Sequence, residues 1–578
     1  MATAMVTKLK RHRKRQSVFI SGDIHDVSFA RLKLLFFGLF AVFILLSLRI
    51  VDLAVFTSVE EVRQYIARKN QAPHVVKRAN IYDSQGNILA TNLITASLYA
   101  NPKEILDAKV AARDISQLMP ELPFTELYNK LNSGKKFVWL KRHLPPAEQQ
   151  RVYELGLPGL YMAKDEKRSQ PHAAAFSHVV GLVDVDGNGL SGLEKQFDEQ
   201  LRQQPEGVHL SLDSRIQWIV REELMKAVQL HNAKGGVAVV ADVTNGQLVS
   251  MVSLPDYDPA HLHRVNDENI FNRVTSGVYE MGSIFKPISI AIALESERLS
   301  MGDVFNVSKP LKVSGHYIND YRGGKGGYLS VPEVLMYSSN KATAQIASGV
   351  GYKMQREYLQ RLGAFERVGV ELPERARSIY PQDSAWSDVR LATISYGHGI
   401  AITPLHMVKA MIPVFNGGIL YEPSLIKSSL QPQGQRVFNP KTSDMLRRML
   451  RLVVAKGYSR KADVVEYAVI GKTGTAEKIE NGRYLKNANV SSFIGAFPGD
   501  KPRYLLLVTL DESQKNEINF GFTTGGMVAA PVAKDIISRI APVLGITPRD
   551  INSPEVRDAL SLEYKARQPN KRHVASSQ

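Results

Sequence analysis

Leu34 to Leu48 (LLFFGLFAVFILLSL) is an uncharged run of fifteen residues, and it constrains how the rest of the chain can be deployed. Past Arg49 and Asp52 the apolar character continues to Phe56, so the stretch 34–56 is long enough to cross a bilayer. Arg49 and Asp52 lie near one end, within reach of the interface or a partner helix. A cleaved signal peptide has an apolar core of similar length, but no small-x-small cleavage site follows this one, and the basic segment before it is long. No polar face interrupts Leu34–Leu48, which argues against a helix of a soluble core. The reading is an uncleaved, single-pass anchor. Residues 1–33 carry eight basic and two acidic side chains, with a dense run Lys8, Lys10, Arg11, Arg13, Lys14, Arg15. The positive-inside rule then puts them in the cytoplasm and everything after about residue 57 outside it.

The remainder of the 578 residues is too long for one ordinary domain, and two or three folded units are expected. The formal charge of +17 raises the question of nucleic acid, but part of the excess sits at the ends and no zinc-finger or RNA-recognition signature accompanies it. Nucleic acid is therefore not an expected partner. There are no cysteines, which removes disulfides, thiolate catalysis and zinc–thiolate sites together.

Ser58 to Lys69 reads as a short amphipathic helix, and Lys77 to Ala90 as a hairpin around a Ser-Gln-Gly-Asn turn. Asp184 to Gly189 resembles the start of a calcium loop, but Lys195 occupies the twelfth position where a bidentate glutamate is needed, so it is read as a turn. Near residue 235 the texture changes. Gly236–Ala241 and Gln247–Val252 read as two strands joined by a tight Asn245-Gly246 turn, and Ser492–Phe497 and Tyr504–Leu510 as another antiparallel pair. Strands early and late with helices between indicate an α+β domain whose sheet is closed by its first and last segments. The tail after about Pro554 is polar and is expected to be loose.

Three short motifs follow one another in this region. The first is Ser283-Ile284-Phe285-Lys286, with Gly282 before it and Pro287 and an apolar helical run after it. That context places Ser283 at a helix N-terminus. Residues i and i+3 share a helix face, so the Lys286 amine can reach the Ser283 hydroxyl. A serine hydroxyl is a poor nucleophile until a base takes its proton, and a lysine can do so only if burial or nearby positive charge disfavours its ammonium. Alone the pattern is common: Ser133/Lys136, Ser338/Lys341 and Ser424/Lys427 share it. The second motif is Ser338-Ser339-Asn340, after the helical-looking Val331–Tyr337. A second hydroxyl can relay a proton to a leaving amine and an asparagine amide can hold a substrate carbonyl, although both residue types also favour caps and turns. The third is Lys472-Thr473-Gly474, after strand-like Tyr467–Ile470 and before Thr475. A strand beside the nucleophile can bind an extended peptide by β-addition, with Lys472 and Thr473 on a substrate carboxylate and Gly474 leaving room. The backbone N–H groups of Ser283 and Thr475 could form an oxyanion hole. The order, the local structures and the domain-sized separations make the set far more specific than any member.

On these motifs the chain resembles the class B penicillin-binding proteins, and among them the FtsI type, the septal peptidoglycan D,D-transpeptidases. Tyr279-Glu280-Met281-Gly282-Ser283-Ile284-Phe285-Lys286-Pro287 is similar to the family's active-site block, with Met281 where many relatives have proline and Ile284 where many have threonine. Tyr396-Gly397-His398-Gly399 is similar to a Tyr-Gly-x-Gly segment, and Gly471–Ala476 matches the third box. The Arg78–Ala90 hairpin, Arg168-Ser169-Gln170-Pro171 and His178-Val179-Val180-Gly181…Gly192-Leu193-Glu194 resemble the family's non-catalytic pedestal. The resemblance implies a serine β-lactamase-like transpeptidase domain with an N-terminal pedestal and one transmembrane helix. The expected segments are a cytoplasmic tail 1–33, the membrane helix 34–56, a pedestal of dimerisation type 57–230, a transpeptidase domain 231–545 and a flexible tail 546–578.

It also implies a mechanism. Ser283 attacks the penultimate D-alanine carbonyl of a stem peptide with Lys286 as base, Ser338 relays a proton to the departing D-alanine, and Asn340 holds the donor backbone. Neither metal nor cofactor is required. Implied partners are peptidoglycan stem peptides or their lipid-linked precursor, β-lactams that acylate Ser283, an FtsW-type membrane glycosyltransferase and other division proteins, at the inner membrane of a Gram-negative septum with the catalytic domain in the periplasm. Two alternatives share the sequence: an elongation-type class B transpeptidase, and a division scaffold whose catalysis matters little. A β-lactamase would need neither anchor nor pedestal.

Overall fold

The computed structural model describes residues 24–51, 78–480 and 483–562. They fall into two compact units, one within 1–76 and one within 77–578. The first is represented by a helix, Ile24–Val51, on which Leu34, Phe37, Phe43 and Leu45 are among the exposed side chains. It starts inside the stretch expected to be a cytoplasmic tail. Among the described residues no helix is long and apolar enough to cross a membrane. The uncharged Leu34–Leu48 run spans about 22 Å at 1.5 Å per residue, short of a hydrocarbon core of about 30 Å. Residues 52–56, needed to complete the expected span, and the expected helix Ser58–Lys69 lie outside the described residues.

The second unit begins with the pedestal. Strand β1 (Ile81–Tyr82) turns through Asp83 into the long β2 (Ile88–Ala100), as the Ser-Gln-Gly-Asn pattern indicates. Asp83 fixes that turn by accepting the N–H groups of Gln85 and Asn87, each at 2.8 Å. β2 pairs antiparallel with β3 (Val138–Leu144) and β4 (Leu160–Ser169), while β1 pairs parallel with β5 (Val208–His209). Helices Ala108–Leu118, Phe124–Leu131 and Pro146–Glu154 bury Ala112, Ile115, Leu127 and Val152 against Leu98, Leu140 and Leu144. Asp184 to Gly189 is a turn, closed by Asp184 accepting the N–H groups of Asp186 and Asn188.

Within the pedestal, charge is buried in pairs. Arg78 Nε lies 2.5 Å from Glu194 Oε2 and its Nη1 lies 2.7 Å from Asp198. Arg168 Nε donates to the other Glu194 oxygen at 2.7 Å. Gln170 Nε2 donates to the Gly181 carbonyl at 2.6 Å, which ties the Arg168–Pro171 segment to the His178–Gly181 turn.

The catalytic sheet has five antiparallel strands in the order β8 (Ile470–Glu480), β9 (Arg483–Phe497), β10 (Tyr504–Asp511), β6 (Gly235–Asp242), β7 (Leu248–Leu254). The early strands pair with the last one, Gly236 opposite Leu510 and Asp242 opposite Tyr504. Both faces are covered, so the strands read as near-continuous apolar runs. Ala238, Val240, Leu506 and Val508 meet helices Ser214–Leu230 and Ala529–Val543. Val237, Val239, Leu505 and Leu507 on the other face meet the helix-rich middle, including the buried helix Lys286–Glu295.

The end of the expected pedestal packs on the catalytic sheet, where helix Ser214–Leu230 lays its apolar stripe Ile216, Val220, Leu224, Ala227. Pedestal residues Ile81, Leu89, Phe176 and Val208 likewise share one hydrophobic core with the catalytic helices, so packing is continuous across residue 230. The tail is not loose throughout: Pro554–Leu560 is a helix that buries Val556 and Leu560 in that core. Tyr467–Ile470 is not a strand. Val465–Tyr467 is a 3-10 turn, Ala468 has a left-handed backbone (φ 45°), and strand β8 begins only at Ile470.

Candidate active site

The motif carrying Ser283 is a short 3-10 turn, Gly282–Phe285, running directly into helix Lys286–Glu295 with Pro287 in its first turn. Proline costs nothing there, because its missing N–H is one the helix could not use. Gly282 is required by two neighbours at once. Its φ is +54°, and a Cβ there would lie 2.7 Å from the Thr475 carbonyl oxygen. Ser283 is half-buried beside it, and its hydroxyl makes no protein hydrogen bond among the described residues.

Lys286 is fully buried. Its Nζ donates to the Ser338 carbonyl at 2.5 Å and to Ser338 Oγ at 3.1 Å. Burial, reinforced by the charge of nearby Lys472 and opposed by Asp320, holds the Lys286 amine well below the ordinary lysine range. Lys472 is buried as well, donates to the Thr473 carbonyl at 2.7 Å, and is pushed down to about 7 by burial. Lys472 therefore lies behind the cleft and acts on the state of Lys286. Thr473 is anchored by Ser459, whose Oγ accepts the Thr473 N–H at 3.0 Å and lies 3.2 Å from Thr473 Oγ1.

Ser338 has φ +53°, a conformation that costs a non-glycine residue strain and that turns the chain between helices Val331–Met336 and Asn340–Val350. The turn is held by buried Asp320. Ser339 Oγ donates to its two oxygens at 3.1 and 2.9 Å, and the Lys341 N–H donates at 3.0 Å. Asn340 donates to the Asn319 carbonyl at 3.2 Å and caps the same loop.

β8 is the edge strand, so one side of it is open to the cleft. The Thr475 carbonyl faces Gly282, and in an antiparallel ladder a residue's N–H leaves on the same side as its C=O. The Thr475 N–H therefore opens onto the Ser283 turn. A Cβ at Gly474 would meet the Ile284 nitrogen and the Met281 oxygen, both at 2.9 Å, so only glycine lets the strand lie this close. Gly525 donates its N–H to Thr475 Oγ1 at 2.9 Å and fixes that side chain.

Residues 236–538 match the family of the penicillin binding protein transpeptidase domain, and residues 73–230 match the penicillin-binding protein dimerisation domain. The chain belongs to the penicillin-binding protein transpeptidases. It is 36% identical to the protein named probable peptidoglycan D,D-transpeptidase FtsI of Caulobacter vibrioides, over 81% of this chain and 82% of that one. It is 29% identical to peptidoglycan D,D-transpeptidase FtsI of Escherichia coli, over 82% of this chain and 84% of the relative. Among solved structures, a peptidoglycan synthetase from Bifidobacterium adolescentis shares the fold with a TM-score of 0.65 at 20% identity, covering 83% of this chain and 98% of that one.

In this penicillin-binding transpeptidase the three motifs read from sequence converge on one cleft. Three contributors were not legible there, Asp320, Ser459 and Gly525, and neither was the contact between the segments that carry Glu280 and His398. Glu280 accepts the Gly399 N–H at 2.6 Å, 119 residues away, a contact that exists only once the domain has closed.

Proposed function

We propose that the protein is a septal peptidoglycan D,D-transpeptidase that works through a Ser283 acyl-enzyme. Lys286 carries this reading: burial holds its amine well below the ordinary lysine range, which suits it to take the Ser283 proton. Ser283 attacks the penultimate D-alanine carbonyl. The developing oxyanion sits between the N–H groups of Ser283 and Thr475. Ser338, bonded to Lys286, passes the proton to the departing D-alanine nitrogen. Edge strand β8 takes the donor peptide as an added strand, with Asn340 on its backbone and Lys472, Thr473 and Gly474 shaping the end that receives its carboxylate. β-Lactams acylate the same serine.

The segment 34–56 anchors the chain in the inner membrane once, with the basic residues 1–33 in the cytoplasm and the pedestal and transpeptidase domains in the periplasm. The septal assignment rests on the two FtsI relatives. With it go an FtsW-type glycosyltransferase and other division proteins as partners, and stem peptides or their lipid-linked precursor as substrate. The test is D-alanine release and cross-link formation from a pentapeptide stem by the full chain in detergent. Ser283→Ala should abolish both, and full cross-linking by that variant would refute the assignment. Labelled chain spread evenly along the side wall of dividing cells would refute the septal role alone.

A further inference from the structure

His398 and Glu280 form a second acid–base pair on this cleft, and acylation leaves them without a task. Gly282 donates its N–H to the Gly397 carbonyl at 3.1 Å, and a Cβ on Gly397 would lie 2.3 Å from the Gly282 oxygen. The residue before His398 is thus stacked on the residue before Ser283. Tyr279–Glu280 pairs with Ala401–Ile402, which brings Glu280 behind His398. His398 Nδ1 stands 3.7 Å from Glu280 Oε2, and the Tyr484 hydroxyl lies 3.4 and 3.3 Å from the two carboxylate oxygens. The Glu280 side chain is 5% exposed and that of His398 30%. The other imidazole nitrogen, Nε2, makes no protein hydrogen bond among the described residues.

A buried carboxylate with no arginine or lysine against it is costly, and such groups gather where chemistry needs them. Burial raises the Glu280 carboxyl. Burial, with Lys286 adding to it, pushes His398 down to about 4, so at neutral pH the imidazole is unprotonated. The titratable groups facing His398 are Glu280 from its short strand, Tyr484 from β9, Tyr396 from its own segment and Lys286 from the helix behind Ser283. Glu477 of β8 acts on Tyr484.

We propose that His398, backed by Glu280, takes the proton that an acceptor ammonium must lose before its amine attacks the Ser283 acyl-enzyme. This rests on the acyl-enzyme reading above. A primary amine reaches the cleft as R–NH3+. Forming the N–C bond of the cross-link and breaking the Ser283 C–Oγ bond requires the nitrogen to lose two protons. One returns to Ser283 Oγ through Ser338 and Lys286. The other goes to His398 Nε2, the imidazolium is stabilised by Glu280 across Nδ1, and the proton then leaves to solvent. The first half-reaction needs none of this, because Lys286 and Ser338 exchange its single proton.

The test uses the full chain in detergent with a stem-peptide donor and two acceptors: the side-chain amine of a stem tripeptide, protonated at neutral pH, and hydroxylamine, which is already neutral. The ratio of transfer to hydrolysis is measured for each. His398→Gln should lower the ratio by about a hundredfold for the ammonium acceptor and far less for hydroxylamine. Glu280→Gln should lower it less, with Glu280→Asp restoring part of the loss. The penicillin adduct on Ser283 reports whether the cleft is assembled in each variant. If His398→Gln fails to fold, the Glu280→Gln ratio decides. No change in ratio, or equal losses for both acceptors, overturns the proposal, the second outcome marking a purely structural role. Absence of any Ser283 ester in the unmodified chain would instead overturn the underlying acyl-enzyme reading and this proposal with it.

Discussion

Arg78 and Arg168 in the pedestal and Lys286 and Lys472 at the active site are all basic side chains removed from water, yet only the arginines have acids pressed against them. Glu194 is fully buried and shared by both guanidiniums, with Asp198 as a further partner of Arg78. The two lysines instead face carbonyls, a hydroxyl and each other's field. Burying a charge leaves two ways out: pair it, or neutralise it. Arginine does not give up its proton, so the pedestal pairs. Lysine can, and a neutral amine beside a serine hydroxyl is a base. The same physical cost yields a cross-brace in one region and a reactive group in the other.

That contrast can be broken by experiment. Lys286→Ala removes the base, and penicillin acylation of Ser283, followed by intact mass against time, should slow by about a hundredfold or more. Glu194→Ala leaves buried Arg168 without an acid and Arg78 with Asp198 alone, and the cost should be about 3–5 kcal/mol, read by denaturant unfolding. Acylation in the fraction that remains folded should persist, whereas loss of acylation without loss of stability would contradict the division of labour between the regions.

Lys472→Met sharpens the comparison in two ways. The charge that depresses Lys286 disappears, so Lys286 should hold its proton to higher pH and the acid limb of the acylation profile should move upward. The sign on stability is opposite to that of a paired lysine. Folded Lys472 loses its proton near 7 and the unfolded chain's lysine near 10.5, so the unfolded state binds more protons between those values and stability rises with pH across that window. Lys472→Met should flatten that rise. It should be more stable than the parent below pH 7, by at most a few kcal/mol, with the difference fading toward pH 10.5. Lys286→Met replaces a buried amine by a residue of similar volume. By the same linkage, stability below neutral pH should rise while activity is lost, the trade expected of a site built for chemistry.

The sheet was legible because its strands are continuous apolar runs and one of its turns is Asn245-Gly246. The Ser283, Ser338 and Lys472 motifs were legible because each places its chemistry within three or four residues. What could not be read was set by closure of the fold. Asp320 meets Ser339, and Glu280 meets Gly399, through pairings made only when distant segments dock. Helix Ser214–Leu230 shows an apolar stripe in sequence, but a stripe does not say which surface it covers. The last helix was missed because its polar average hides Val556 and Leu560, four residues apart on one face. The apolar stretch at Tyr467–Ile470 looked like a strand, yet a left-handed residue at Ala468 delays the strand to Ile470.

The most direct measurement is the intact mass of the full chain after brief exposure to a penicillin across a range of pH, with the adduct mapped by peptide. The account expects one adduct on Ser283, absent in Ser283→Ala, forming more slowly as pH falls and Lys286 takes up a proton. An adduct that persists in Ser283→Ala, or a rate indifferent to pH throughout the range where the chain stays folded, would contradict a neutral buried lysine activating this serine.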